Sequence, residues 1–105
     1  MQDINNINKD IFTRDINGEL ISPDDKDFSQ ILAVIENTQK LVHKLNTQAL
    51  DKDSVRAVFS EIVGYEVDCS TWIFPPFYVD FGRNIKVGKN FFMNSSCTFM
   101  DRGGI

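Results

Sequence analysis

Apolar residues in the first half of the chain recur at spacings of three, four and seven, a pattern that predicts a helix with one apolar face. Its start is predicted at Ser22-Pro23-Asp24-Asp25, which is typical of an N-cap residue followed by proline at the first helical position and acids in the first turn. Its end is expected near Asn46 and Thr47. The predicted apolar positions are Phe28, Ile31, Leu32, Ile35, Val42 and Leu45.

A second, shorter helix is predicted to begin at Asp53 or Ser54 and to end at Gly64, a residue that suits the left-handed cap of a helix. Its inward positions are Val55, Val58, Phe59 and Ile62. Two amphipathic helices joined by a short polar connection predict a helical hairpin that packs against another apolar surface.

Beyond Gly64 the chain is rich in β-branched and aromatic residues, broken by frequent glycines and asparagines. Simple strand alternation does not fit, because the strands would be very short and the turns too frequent. A period of six fits better, since apolar residues recur at Phe81, Val87, Met93, Phe99 and Ile105. This period predicts a parallel β-helix whose turns have three six-residue sides and about 18 residues each.

These patterns divide the chain into three zones: a polar leader (1–20), an α-helical segment (21–64) and the start of a hexapeptide-repeat coil (65–105). The predicted fold class is α+β, with helices followed by the first turns of an incomplete β-helix. The leader contains a turn signal at Asn17-Gly18 and has neither the basic nor the apolar region of a secretory signal. We expect it to be ordered only where it packs against something else.

Composition narrows the classes of partner. A formal net charge of −4 without a basic stripe argues against nucleic acid, and no apolar run is long enough to span a bilayer. Cys69 and Cys97 lie far apart without metal-site spacing, so we predict two small buried hydrophobes rather than a disulfide or a metal site. The default compartment is the cytoplasm.

The stretch PPFYVDFGRNIKVGKNFFMNSSCTFMDRGGI, residues 75–105, resembles the first coils of the maltose/galactoside O-acetyltransferases, a group of hexapeptide-repeat acyltransferases. Their phrase P-P-F-x-x-D-Y-G-x-N-I-x-[IV]-G-x-N-[FV]-F-x-N is matched with one main change, Phe81 in place of tyrosine. Upstream, NGELI (17–21) and the helix from Arg56 to Gly64 resemble the helical segment that precedes the coils in the same enzymes.

This resemblance implies a left-handed β-helix that assembles into trimers, with active sites between subunits. It also implies that acetyl-CoA is the co-substrate and that the acetyl group is transferred to a sugar hydroxyl. A histidine general base would activate that hydroxyl, and nearby donors would stabilise the oxyanion. No cofactor is expected to bind to this chain itself, because the coils that bind CoA in the family lie further along.

Residue by residue, the resemblance implies that Asn94 clamps the acceptor hydroxyl and that Asp80 and Asp101 contact the sugar. Each has a simpler interpretation: Asn94 is also suited to a coil corner, and Asp80 to a surface turn. One acid of the pair Asp24 and Asp25 corresponds to an N-terminal carboxylate that reaches the sugar, although the pair also fits an N-cap.

The family's catalytic histidine, which stands in a His-Pro pair after the asparagine, has no counterpart here. The single histidine, His43, lies on the first predicted helix and is interpreted as a solvated position. We therefore expect the N-terminal part of a sugar O-acetyltransferase that is inactive alone. The alternative is a non-catalytic module that associates with itself or with a full-length homologue.

Self-association is expected because an incomplete coil would leave an open edge and an uncovered apolar layer containing Met93, Phe99 and Ile105. Trp72, Phe77 and Tyr78 could form a sugar-binding face. They could also fill the seam between the helices and the first coil, and this second interpretation is favoured.

Overall fold

The structure, a computed structural model, describes residues 10–105. It contains three helices, α1 (Ile11–Ile16), α2 (Phe28–Thr47) and α3 (Lys52–Val63). Four short strands follow: β1 (Trp72–Ile73), β2 (Phe77–Val79), β3 (Phe92–Met93) and β4 (Cys97–Phe99). Helices α2 and α3 pack against each other and against the strands, as the apolar faces of the two helices predict.

The strands belong to successive turns of a parallel coil. Trp72 of β1 pairs with Phe92 of β3, and Phe77 of β2 pairs with Cys97 of β4, an offset of 20 residues in both sheets. On the third side of the coil the two turns are also paired, because the backbone N–H of Ile105 donates to the carbonyl of Asn84 at 3.0 Å. The predicted coil is therefore present in its topology, but each turn is longer than the expected length of about 18 residues.

The six-residue period marks the inward positions only in part. Phe81 and Met93 are buried, Val87 and Phe99 are half-buried, and Ile105 is 53% exposed. The expectation of an uncovered apolar layer is wrong for Met93, because its side chain belongs to the main core shared by the helices and the coil.

The bounds of α3 follow from its caps. The carboxylate of Asp51 accepts the N–H of Ser54 at 2.7 Å, and this hydrogen bond is the main cause that lowers the pKa of Asp51. At the other end Gly64 has φ of 85°, the left-handed conformation that glycine adopts without strain. The helix therefore ends where the sequence predicts and begins slightly earlier than expected.

The predicted start of α2 is wrong. Ser22 instead organises a turn, in which its hydroxyl accepts the N–H of Asp24 and its carbonyl accepts the N–H of Asp25. The carboxylate of Asp25 then accepts the N–H of Asp27 at 2.9 Å, which delays the helix until Phe28. The expected N-cap role of Asp24 and Asp25 is therefore not found.

Helix α1 lies inside the segment that the sequence assigns to a polar leader. Asp10 caps its first turn by accepting the N–H of Thr13 at 2.8 Å, and Ile11 is buried. The carboxylate of Asp15 accepts two hydrogen bonds from Arg102, at 2.8 and 2.9 Å. This bidentate ion pair ties the start of the chain to the second turn of the coil. Residues 1–9 lie outside the described residues.

Aromatic side chains fill the seam between hairpin and coil. Phe59 of α3 contacts Phe77 edge-on, with ring centroids 5.5 Å apart, and Phe77 makes a similar contact with Phe99 of the next turn. Of the three aromatics predicted for this seam, only Phe77 is buried. Trp72 and Tyr78 are 41% and 48% exposed, because they occupy the outward positions of their strands.

Polar side chains of α2 hold the first turn of the coil by its backbone. The hydroxyl of Thr38, buried within the apolar face, donates to the carbonyl of Phe81 at 2.6 Å. The amide of Asn46 donates to the carbonyl of Phe77 and accepts the N–H of the same residue, both at 2.9 Å. These bonds satisfy backbone groups that the coil's own pairing leaves free.

The cysteine prediction is only partly correct. Both thiols are free, as expected, but Cys69 is exposed rather than buried. Cys97 is half-buried against the core, and its thiol donates to the carbonyl of Asn94 at 3.2 Å. The reason is position: Cys69 falls in the turn before β1, whereas Cys97 begins β4.

At Gly82 the coil closely approaches both long helices, and replacing this residue with alanine is expected to destabilise the fold. The residue has φ of 89°, and an added Cβ would lie 2.9 Å from the carbonyl oxygen of Ile62 and 3.1 Å from Cγ2 of Thr38. Backbone strain and overpacking together predict a loss of about 2–4 kcal/mol in the free energy of unfolding.

Urea unfolding followed by circular dichroism measures this loss. The matched control is Gly88→Ala, since an added Cβ at Gly88 meets nothing within 4 Å. Equal stability of the two variants would contradict the close approach at Gly82.

Candidate functional site

Asp80, half-buried, and Asp101, fully buried, lie together at the corner that follows β2. The carboxylate of Asp101, fully buried, accepts the backbone N–H groups of Phe81, Gly82 and Asn84 at 2.9–3.1 Å. Oδ1 of Asp80 accepts the N–H of Phe81 at 2.8 Å and that of Asp101 at 3.1 Å. Two successive turns of the coil are thus joined by two carboxylates.

Burial of Asp101 is the main cause that raises its pKa above the ordinary value, and the nearby Asp80 carboxyl raises it further. The N–H groups of Gly82 and Asn84 act in the opposite direction, because they stabilise the charged form. A buried acid held in this way is suited to fixing a loop.

Asn94 lies at a different corner, directly after β3. Its Oδ1 accepts the N–H of Ser95 at 2.8 Å. At the same corner, the backbone N–H of Ser96 donates to the carbonyl of Pro76 in the preceding turn of the coil. The side chain of Asn94 is exposed, and within residues 10–105 its Nδ2 group donates to no acceptor. The bond to Ser95 therefore orients the amide so that its two N–H groups remain available to a ligand.

The structure brings Asp80 and Asp101 together and places Asn94 apart from them within one chain. Asp80 is half-buried, and its Oδ2 makes no hydrogen bond in the described part of the chain. Asp101, by contrast, has no exposed surface and contacts backbone. The sugar contacts that the resemblance implies for Asp80 and Asn94 stay predictions, whereas Asp101, fully buried, offers no surface for the contact that the resemblance implies.

The remaining acids and the histidine lie elsewhere. Asp25 forms an ion pair with Arg14 at 3.0 Å, and this hydrogen bond is the main cause that lowers the pKa of Asp25. Asp24 is exposed in the turn before α2. His43 is exposed on α2, as predicted for a solvated helix position.

The pair of Asp15 and Arg102 was not indicated by the sequence, because its members are 87 positions apart. A weaker signal existed for Thr38 and Asn46, polar residues within the helix region that carries the apolar face.

Neither a cluster of metal ligands nor a membrane-spanning helix is found among the described residues. Nowhere in residues 10–105 do three or more His, Cys, Asp or Glu side chains come together as metal ligands would. No helix in this part of the chain combines the length and the apolar character needed to cross a bilayer.

The chain is similar in sequence to curated proteins that are named as acetyltransferases. A Staphylococcus haemolyticus protein named "Putative acetyltransferase" is 44% identical over 55 residues, which are 52% of this chain and 28% of that protein. A Saccharomyces cerevisiae protein of the same name is 33% identical over 72 residues, 68% of this chain and 36% of its own. No protein-family model matches the chain.

A solved structure extends the comparison to the fold. The hexapeptide-repeat-containing acetyltransferase of Vibrio cholerae, complexed with acetyl coenzyme A, superposes with a TM-score of 0.64 over 87% of this chain and 47% of its own. The chain shares that fold. With 21% identity the likeness concerns architecture alone. The chain spans about a third of the length of the two curated relatives, 28% and 36%.

Proposed function

We propose that this chain forms the acceptor-binding N-terminal part of an acetyl-CoA-dependent sugar O-acetyltransferase of the maltose/galactoside type. The single observation that carries the proposal is Asn94, an exposed corner amide whose Oδ1 is held by the N–H of Ser95 at 2.8 Å. Its position in the FFMN run matches the family's acceptor-site asparagine. The acetyltransferase relatives and the shared fold support the reaction class.

Acetyl transfer requires that a base take the proton of the sugar hydroxyl while its oxygen attacks the thioester carbonyl carbon, after which the CoA thiolate leaves. In this proposal the free N–H groups of Asn94 bind the oxygen atom of the acceptor hydroxyl. Oδ2 of Asp80 accepts a second sugar hydroxyl, because Oδ1 is already engaged by two backbone N–H groups. Asp101 acts as a positioning residue, since it holds the backbone around Asp80 without reaching solvent.

The proposal includes a left-handed coil and a homotrimer in which acceptor residues of neighbouring subunits complete each site. Asp80 and Asn94 lie at different corners of one chain, an arrangement that suits sites shared between subunits. The base is not among these 105 residues in the proposed mechanism, because the exposed His43 lies on α2. We therefore expect no acetyl transfer by this chain alone. A cytoplasmic location stays a prediction.

A hybrid enzyme tests this function. The chain replaces the corresponding first part of the Staphylococcus haemolyticus relative, and transfer from radiolabelled acetyl-CoA to a panel of sugars is measured. We expect sugar acetylation by the hybrid, and a fall in kcat/KM of about 10- to 100-fold for each of Asn94→Ala and Asp80→Asn, because each loses a bond to the acceptor.

The matched control is Ser95→Ala, which keeps the backbone N–H that orients Asn94 and removes an exposed hydroxyl at the same corner. A folded hybrid in which Asn94→Ala and Asp80→Asn behave like the control would contradict the assignment of the acceptor site.

A second candidate function is a non-catalytic assembly module. Three outward rings favour it: Trp72, Phe74 and Phe92 are 38–53% exposed and contact one another, with centroids 5.0–6.2 Å apart. Such a patch is suited to a second copy of the chain. Sedimentation analysis of Phe92→Ser distinguishes this function, since loss of self-association is expected only if the patch forms the contact.

A further inference from the structure

A cavity of about 500 Å³ lies between the helices and the first turn of the coil, next to the corner that Asp80 and Asp101 hold. Its walls come from all three helices and the coil: Phe12 of α1, Val34 of α2, Val63 of α3 and Phe81. Phe12 and Phe81 have ring centroids 6.1 Å apart and form one aromatic corner of the cavity. None of Asp80, Asn94 and Asp101 lines it. Its volume lies within the range of small-molecule sites.

Arg83 borders this cavity, and its exposed side chain lies over Gly64. A Cβ added at Gly64 would lie 2.7 Å from Nη1 and 3.0 Å from Cδ of Arg83, so the arginine lies directly over the glycine. A second cavity of about 490 Å³ shares Arg83, Gly64 and Tyr65 with the first, which places the guanidinium group between the two. The absence of a side chain at Gly64 thus provides the space that Arg83 occupies.

The guanidinium group of Arg83 has no acidic partner in residues 10–105, unlike the other three arginines of the chain. Arg14, Arg56 and Arg102 each have a carboxylate oxygen at 2.8–3.1 Å. No carboxylate of the described residues lies within 4.0 Å of Arg83, and the residues lining the first cavity include no acid. Glu61 borders only the second cavity.

Two other polar side chains of the first cavity already make hydrogen bonds. The hydroxyl of Tyr65 donates to the carbonyl of Ile85 at 3.3 Å and accepts the N–H of Val87 at 2.9 Å. The side-chain amide of Asn84 donates to the carbonyl of Arg102 at 3.2 Å. The guanidinium group is therefore the one charged group that lines the first cavity, beside the apolar side chains of Phe12, Val34 and Phe81.

We propose that this cavity, named the Arg83 cavity, binds a small carboxylate with an aromatic or branched apolar body. The planar guanidinium group binds both carboxylate oxygens, a geometry that arginine provides and lysine does not. The body of the ligand lies against Phe12, Val34 and Phe81. Arg83 is the single cation among the residues that line the cavity, and the chain as a whole has a formal net charge of −4. Both facts favour a monoanion over a polyphosphate as the ligand.

Calorimetric titration of the chain with 3-phenylpropionate tests the proposal. We expect saturable binding with Kd of about 0.1–1 mM, a range typical of so small a ligand. Arg83→Gln is expected to weaken binding about 10- to 100-fold, because it removes the charge-assisted hydrogen bonds. Arg83→Lys keeps the charge and is expected to fall between the two. Lys86→Gln, an exposed cation outside the Arg83 cavity, is the control and should bind like the parent chain.

Two further probes separate the carboxylate head from the apolar body. The uncharged amide 3-phenylpropionamide is expected to bind at least about tenfold more weakly than the acid. Inorganic phosphate is expected to bind more weakly too, since it cannot use the apolar wall. The proposal is overturned if phosphate binds as tightly as 3-phenylpropionate, if binding is not saturable, or if a folded Arg83→Gln variant binds like the parent chain. Thermal unfolding of each variant establishes that it is folded.

Discussion

Replacing Phe77 with alanine is expected to lower the free energy of unfolding by about 3–5 kcal/mol, the range found for large aromatic residues removed from a core. The Phe77 side chain is fully buried and contacts Phe59 of α3 and Phe99 of β4, both with ring centroids 5.5 Å away. It therefore links the helical hairpin to both turns of the coil. In a domain of this size such a loss is a large part of the total stability.

Urea unfolding measured by both circular dichroism and tryptophan fluorescence tests this prediction. The matched control is Tyr78→Ala on the same strand, whose side chain faces outward and is 48% exposed. We expect this control to change stability by less than about 1 kcal/mol. Equal losses for Phe77→Ala and Tyr78→Ala would show that the strand does not present one face to the core.

Replacing Asp101 with alanine is expected to cost about 3–5 kcal/mol, because three backbone N–H groups would lose their shared acceptor in a buried place. Asp101→Asn tests the chemistry more closely, since it keeps the shape but directs an N–H₂ group at donors. It too is expected to destabilise, by about 1–3 kcal/mol.

The control for both Asp101 variants is Glu66→Gln, which changes an exposed acid near the end of α3. Chemical denaturation of the three variants is compared at one pH. A stable Asp101→Asn variant would mean that Asp101 does not hold the corner through its two carboxylate oxygens.

Local signals predicted the helical part of the fold well. Gly64 ends α3 because the left-handed conformation is available to glycine, and α2 ends at the predicted Thr47. Tertiary contacts set the other boundaries. Asp25 pairs with Arg14 and accepts the N–H of Asp27, so α2 begins later than expected. Helix α1 forms an ion pair with Arg102, which no local pattern indicates.

The sequence predicts that the second half forms a parallel coil, but it does not predict the number of residues in each turn. A six-residue apolar period correctly marks Phe81 and Met93 as inward, yet each turn holds 20 residues, because the corners contain extra residues that the period does not count. The candidate site shows a similar division. The family resemblance implies an aspartate at the position of Asp101, whereas the direction of its side chain depends on the backbone of the preceding turn.

Both the core at Phe77 and the corner at Asp80 depend on the parallel pairing of successive turns, and this pairing can be measured directly. Nuclear Overhauser contacts between the backbone protons of Val79 and Phe99, and between those of Trp72 and Phe92, are predicted from an offset of 20 residues. Contacts at an offset of about 18 residues, or none between these strands, would contradict the account.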